Sequence, residues 1–137
     1  MDSNNIIPEA ARERLAGFAT SCGAEPETCS AEGALVRLRL GPGHMDGRGQ
    51  VHRGLLCTLM ETAAGVAADC AVPGRRAAAL CSAEFSFFFP PGGTVLRARG
   101  RVVRAGRSMC LVRAELLDAG DRVCAAGAFE YACSDAS

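Results

Sequence analysis

The 137 residues are 49% hydrophobic and 22% charged, a balance that is typical of one globular domain and argues against a disordered chain. The 15 basic and 15 acidic residues give a formal net charge of zero, so no strong field attracts nucleic acid or an anionic membrane. The N-terminus lacks the basic flank and apolar core of a signal peptide, and Glu61 and Asp69 interrupt the most apolar segment. We therefore expect a cytoplasmic protein without nucleic-acid or membrane partners.

Eight cysteines are spread along the chain, and no two of them form a C-x-x-C pair. They stand within apolar segments, where a free cysteine behaves as a small hydrophobic residue. We expect neither a disulfide framework nor a metal site, and a reducing compartment fits this pattern.

The first half of the chain combines helices with two strands. Pro8 and the apolar stripe of Ala11, Leu15 and Phe18 predict a helix over residues 8–19. There follow, in order, a short strand at 28–31, an alternating strand at 34–40, a glycine-rich loop at 41–54 and a helix at 55–70.

The second half, after the Pro73-Gly74 turn, is a succession of strands. They are predicted at residues 77–89, 95–103, 109–117 and 123–133. The turns at Gly106-Arg107 and at residues 119–121 indicate hairpins, so we expect a meander of four strands.

The helix at 55–70 is apolar on every side and must be enclosed by the rest of the protein. A curved antiparallel sheet of about six strands, wrapped around this one long helix, would enclose it. The predicted class is therefore α+β, with a single domain over residues 1–137, in which residues 1–24 form an N-terminal helix and linker.

Glu61 stands in the middle of this apolar helix. An ionisable carboxyl group in such a place is costly unless it has partners or a chemical role. The polar loop that precedes the helix and this acid together predict an active site. The structural alternative is that Glu61 reaches solvent or pairs with an arginine.

The loop and helix resemble those of hotdog-fold acyl-CoA thioesterases of the phenylacetyl-CoA and 4-hydroxybenzoyl-CoA type, over roughly residues 30–132. That family carries H-x-N-x-x-G-x-V-H-G-G, with an acid nine residues after the second His. Here the pattern stands as His44-Met45-Asp46-Gly47-Arg48-Gly49-Gln50-Val51-His52-Arg53-Gly54, and Glu61 is the acid. The segments 88–93 and 106–107 match the F-x-x-P turn and G-R hairpin of the family.

Three positions depart from the family pattern. Asp46 replaces the family Asn, which positions water or substrate, and is equally typical of a turn. Arg53 replaces the first Gly after the second His. Cys81, with Ser82 beside it, stands where the family has a helper Ser or Thr on the strand after the helix.

The resemblance implies hydrolysis of an aryl- or medium-chain acyl-CoA, with no cofactor. Glu61 would act as general base or as nucleophile, and the backbone N–H of Arg53, with that of Gly54, as oxyanion donor. His52 is expected to anchor the loop, and His44 to be an exposed loop residue. Expected substrate contacts come from Cys81, Ser82, Phe88 and Arg107.

The spacing of Arg53 and Glu61 favours a dimer. Eight residues of helix separate the two groups by about 12 Å, so one thioester carbonyl cannot easily reach both. Two such helices, antiparallel about a twofold axis, would bring one N-terminus to the other acid. We therefore expect a homodimer with composite sites, and the resemblance allows dimers to pair into tetramers.

Two other functions remain open. A non-catalytic acyl-CoA-binding module on the same fold would not need Glu61, although the Asp46 and Arg53 departures favour it. A hotdog dehydratase or hydratase also pairs a loop His with a helix acid, but at a different spacing. The stripe of Arg97, Arg99 and Arg101 is more typical of a solvated strand face than of a site for CoA phosphates.

Overall fold

The computed structural model describes residues 7–71 and 75–135, and in them the predicted α+β class is confirmed. The elements are the helices α1 (Glu9–Leu15) and α2 (Phe18–Ser21), the strands β1 (Glu25–Ser30) and β2 (Gly33–Arg39), the long helix α3 (Arg53–Ala71), and the strands β3 (Arg75–Phe87), β4 (Val95–Ala105), β5 (Met109–Leu117) and β6 (Val123–Asp135). Six antiparallel strands thus accompany one long helix.

The strand order is β1-β2-β4-β5-β6-β3, so the expected meander of four strands is wrong. Tight turns keep β4, β5 and β6 adjacent, but β3 pairs with β6 at the edge of the sheet. The segment that follows β3 contains Pro90-Pro91-Gly92-Gly93, and it crosses the end of the sheet to reach β4 instead of turning back. Proline has no N–H for a strand ladder, which suits this segment to a crossing.

The predicted N-terminal helix over 8–19 is also wrong as one element. It divides into α1 and α2 because Gly17 adopts φ 74°, in the left-handed region that ends a helix. Strand β1 begins three residues earlier than the predicted residue 28. The other element boundaries agree with the expectations to within a few residues.

Helix α3 is the centre of the core. By length and composition its 19 residues could cross a membrane, but 67% of its apolar window is buried inside this fold. The helix lies very close to β4 at Gly100, where a Cβ would collide with the Ala63 carbonyl and lie 3.0 Å from the Ala64 nitrogen. This approach sets the distance between the helix and the sheet.

Cys29 in β1 and Cys70 in the last turn of α3 form a disulfide, so the expectation of no disulfide is wrong for this pair. The two residues are 41 positions apart, and only the packing of α3 beside β1 brings them together. Closing a loop of that length stabilises a fold by about 4 kcal/mol through the entropy of the unfolded chain. The six other cysteines form no disulfide within the described residues.

Asp118, at the end of β5, fixes the turn into β6 and the crossing segment. Its carboxylate accepts hydrogen bonds from the N–H groups of Gly92 at 3.1 Å, Gly120 at 2.9 Å and Arg122 at 3.1 Å. The Arg122 guanidinium also bonds it, at 2.9 Å from Nη2. Burial alone would raise the pKa of Asp118, but the hydrogen bonds prevail and lower it to about 2.

Candidate active site

The loop before α3 is held by Asp46. Its Oδ1 accepts hydrogen bonds from the N–H groups of Arg48 at 2.8 Å and Gln50 at 3.0 Å, and its own N–H donates to the Gln50 carbonyl at 2.7 Å. The bonds from Gln50 and Arg48 lower the pKa of Asp46. The carboxylate therefore closes a turn within the loop, in the role that its residue type shares with Asn.

His44 ties the same loop to the N-terminal part of the chain. Its Nδ1 accepts the Gly41 N–H at 2.9 Å, and its Nε2 lies 2.7 Å from the Cys22 carbonyl. An N–H can only donate and a carbonyl can only accept, so the Nε2–H tautomer satisfies both. His44 is half-buried, contrary to the expectation of an exposed loop residue.

His52 caps the N-terminus of α3. Its carbonyl accepts the N–H groups of Leu55 at 3.0 Å and Leu56 at 3.4 Å, and its Nδ1 accepts that of Gly54 at 2.9 Å. Of the first four N–H groups of the helix, only that of Arg53 has no hydrogen-bond partner within the described part of the chain. The second expected oxyanion donor, Gly54, is engaged by His52.

Two aromatic residues lie close to this end of the helix. The Arg53 guanidinium stands over the Phe87 ring, 5.6 Å from its centroid. Phe88, an expected substrate contact, donates its N–H to the Cys124 carbonyl at 2.9 Å and exposes its ring. The side chain of Arg53 is thus drawn onto β3, and its backbone N–H lies at the exposed start of the helix.

Glu61 lines a cavity of about 400 Å³ between α3, β3 and the N-terminal helices. Its side chain is 30% exposed, so it is less enclosed than its apolar neighbours in the sequence indicate. Phe18, Leu80, Ala83 and Phe85 supply apolar walls. This volume lies within the range of roughly 300–1,000 Å³ that is usual for small-molecule sites.

Two side chains from other parts of the fold contact Glu61. The Tyr131 hydroxyl is 3.4 Å from Oε1 and 3.2 Å from the Glu61 carbonyl. Arg14 Nη1 lies 3.7 Å from Oε1, and Arg14 Nε donates to Asp69 at 3.0 Å. Burial, and then the charge of Glu61, raise the pKa of Tyr131, so the phenol keeps its proton.

Sequence reasoning missed Arg14 and Tyr131 as neighbours of Glu61. A signal was present in α3, where Glu61, Gly65 and Asp69 follow at four-residue intervals and so share one face. Two acids with a glycine between them predict a groove for a long basic side chain. The sequence does not show which arginine occupies that groove.

The other expected substrate contacts lie away from the cavity lining within one chain. Cys81 is exposed at a shift in the β3–β6 register, and Ser82 Oγ is 3.2 Å from Glu130 Oε2, on the outer face of the sheet. Arg107 lies in the β4–β5 turn, at the C-terminal end of β4. The N-terminal end of β4 is the one that pairs with Arg39. Their roles stay predictions.

A larger groove, of about 710 Å³, runs over the outer face of the sheet beside the arginine stripe. Arg97 pairs with Glu27 at 3.0 Å and Arg99 with Glu115 at 2.6 Å, as on a solvated face. The lining of this groove includes two acids, Glu32 and Asp121, together with the three arginines of the stripe. In the described ranges, no three His, Cys, Asp or Glu side chains are grouped to hold a metal ion.

The thioesterase superfamily model matches residues 48–125 of this chain. A thioesterase family protein from Silicibacter pomeroyi has a similar structure (TM-score 0.82, 19% identity, 93% of this chain and 97% of that chain covered). A hypothetical thioesterase from Streptococcus pneumoniae, solved with coenzyme A, is also similar (TM-score 0.78, 18% identity, 86% of this chain and 93% of that chain covered). A third similar structure is that of a conserved protein from Pseudomonas aeruginosa (TM-score 0.81, 25% identity, 90% of this chain and 99% of that chain covered). These likenesses confirm the hotdog fold. No curated protein sequence matches the chain.

Proposed function

Since this chain belongs to the thioesterase superfamily, we propose that it hydrolyses acyl-CoA thioesters to the free acid and coenzyme A. The observation that carries the proposal is the position of Glu61, a carboxylate that lines an apolar cavity, on a helix whose first N–H is unpaired within the described residues. The Streptococcus pneumoniae protein that shares the fold binds coenzyme A, which supports the choice of carrier.

The acyl group is proposed to be an aryl or a medium-chain group. The cavity walls include two phenylalanines and a leucine, and among the described residues Arg14 is the one basic side chain that lines it. Apolar walls favour an uncharged acyl group because they cannot compensate the loss of hydration of a charge.

The proposed chemistry uses water as the nucleophile. Glu61 accepts a proton from water as the water oxygen attacks the thioester carbonyl, and the Arg53 N–H stabilises the resulting oxyanion. The tetrahedral intermediate then expels the thiolate by breaking the C–S bond, and the proton held by Glu61 returns to sulfur. Direct attack by Glu61, giving a mixed anhydride that water later opens, is the second course.

A homodimer with composite sites is part of the proposal, because about 12 Å separates Arg53 from Glu61 in one helix. Strand β3 supports it. It lies at the edge of the sheet and pairs only with β6 within the described residues. This strand and the segment that follows it expose four large apolar side chains, Leu80, Phe87, Phe88 and Phe89. An exposed apolar edge is a liability unless a second chain covers it.

One observation favours a non-catalytic acyl-CoA-binding module. Arg14 lies 3.7 Å from Glu61, as it would if the acid were only a structural ion-pair partner. In that case acyl-CoA would bind, and neither the protein nor a Glu61 variant would turn it over.

The experiment is free-thiol release from a panel of aryl-, short- and medium-chain acyl-CoAs. We expect turnover that falls by roughly 10²-fold or more in Glu61→Ala, the scale of a lost general base. Glu9→Ala is the control, because Glu9 is an exposed acid on α1. Acyl-CoA binding without turnover on every thioester would establish the binding module instead.

A further inference from the structure

Arg14 lies along α3 and contacts both acids on one face of the helix. Its Nε donates to Asp69 Oδ2 at 3.0 Å, and its Nη1 is 3.7 Å from Glu61 Oε1. These acids are eight residues apart, which is about 12 Å along the axis. A single guanidinium on its long side chain therefore links the acid at the cavity with an acid two turns further on.

Gly65 makes room for this arrangement. A Cβ at Gly65 would collide with Cδ, Nε and Cζ of Arg14. The residue is midway between Glu61 and Asp69, so the guanidinium crosses α3 where the helix has no side chain. Glycine in a helix interior destabilises the helix by about 1 kcal/mol relative to alanine. The contact with Arg14 explains why a glycine stands at this position.

Burial makes the arrangement rigid. The Asp69 side chain has no exposed surface, and that of Arg14 is 19% exposed. The guanidinium also stands over the Tyr131 ring, 5.4 Å from its centroid. Burial disfavours the charge of Arg14, but the hydrogen bond and charge of Asp69 prevail and raise its pKa. Arg14 is thus a fixed cation.

Within the described part of the chain, the charged or titratable groups near Glu61 come from α1, α3 and β6. Arg14 comes from α1, Tyr131 from β6, Asp69 from α3, and Cys57 lines the cavity one helical turn before Glu61. The parts of α2 and β3 that line the cavity there are uncharged. Arg14 is the only cation among them.

We propose that Arg14 is a positioning residue for Glu61, anchored by Asp69 and admitted by Gly65, which fixes the orientation of the catalytic carboxylate at the cavity. The proposal rests on the proposed function of Glu61. It assigns a catalytic contribution to α1, which lies outside residues 48–125 that match the superfamily. Asp69 keeps the cation in place, so Glu61 does not have to bind it directly.

The test compares Arg14→Gln, Arg14→Lys and Gly65→Ala by steady-state kinetics, after circular dichroism has shown that each is folded. In Arg14→Gln we expect kcat to fall about 10- to 100-fold, the scale of a misplaced group, with KM changed less than about twofold.

The other variants separate charge from position. Arg14→Lys keeps the cation, so it should recover part of the kcat that Arg14→Gln loses. Gly65→Ala keeps every charge but displaces the guanidinium, so kcat should fall. Arg12→Gln removes an exposed arginine of the same helix and is the matched control.

An unchanged kcat in folded Arg14→Gln, with only a lower melting temperature, would give Arg14 a purely structural role and overturn the proposal. Should the unmodified protein hydrolyse no thioester, the proposed function fails, and a second measurement still decides on Arg14. We expect carbon-13 relaxation to show a more mobile Glu61 side chain in Arg14→Gln, because the contact that orients it is lost. Equal mobility of Glu61 in the two proteins would contradict the positioning role.

Discussion

At the start of α3, one histidine accepts three of the four N–H groups that a helix leaves unpaired. His52 accepts hydrogen bonds from the N–H groups of Gly54, Leu55 and Leu56 but not from the N–H of Arg53. The positive end of the helix dipole adds to the attraction of this N–H for a developing negative charge. His52 therefore selects a single backbone group as the oxyanion donor, and the side chain of Arg53 is not needed for that role.

The donor can be removed without changing the helix. Arg53→Pro deletes the N–H at the first helical position, where proline is well tolerated. We expect kcat to fall by roughly 10²- to 10³-fold, as for the loss of one oxyanion donor. Arg53→Ala keeps the N–H and should lose far less. Equal thiol release by the two variants would exclude the backbone donor.

At the scale of elements, the position of Glu61 depends on the close contact of α3 with β4. Gly100 allows it, because a side chain there would meet the backbone of the helix at Ala63 and Ala64. Backbone cannot move aside as a flexible side chain can, so the helix would have to shift.

We expect Gly100→Ala to lower the free energy of unfolding by about 1–3 kcal/mol, the usual cost of overpacking. Urea denaturation followed by circular dichroism measures it. Gly43→Ala is the matched control, since no atom lies within 4 Å of a Cβ at that position. An unchanged midpoint for Gly100→Ala would show that α3 is not pressed against β4.

The contact of the β5–β6 turn with the crossing segment depends on pH through Asp118. Its pKa is about 2 in the fold and about 3.9 in an unfolded chain. The folded pKa is the lower one, so the ionised group contributes stability above about pH 4, and this contribution is lost as the pH falls towards 2.

Asp118→Asn should therefore melt at a lower temperature than the unmodified protein at pH 7. The difference between the two melting temperatures should shrink between about pH 4 and pH 2. Thermal melts across that range measure it. A difference that stays constant down to pH 2 would show that the Asp118 carboxylate does not hold the two segments together.

At the scale of the whole molecule, contacts between residues close together in the sequence could be predicted, whereas contacts between distant residues could not. Tight turns at residues 106–107 and 119–121 determine which strands are neighbours, so β4, β5 and β6 were placed correctly. Strand β3 was not, because nothing local specifies its pairing with β6. The Cys29–Cys70 disulfide joins positions 41 residues apart, and no spacing rule indicates it.

The same holds for the candidate site. The polar loop, the start of α3 and Glu61 lie within one short segment, so their association could be predicted from the sequence. Arg14 reaches Asp69 across 55 positions and Tyr131 reaches Glu61 across 70. Such contacts depend on how α1 and β6 pack on α3, and this follows from the complete fold.

The most direct test of the composite active site is the thioesterase activity of a mixed dimer. One protomer carries Glu61→Ala and its partner Arg53→Pro, each with a different affinity tag, and purification through both tags isolates the mixed form. Each variant alone should be nearly inactive. The mixed dimer keeps one intact composite site, so it should recover about half of the unmodified turnover. A mixed dimer as inactive as its parents would contradict the composite site.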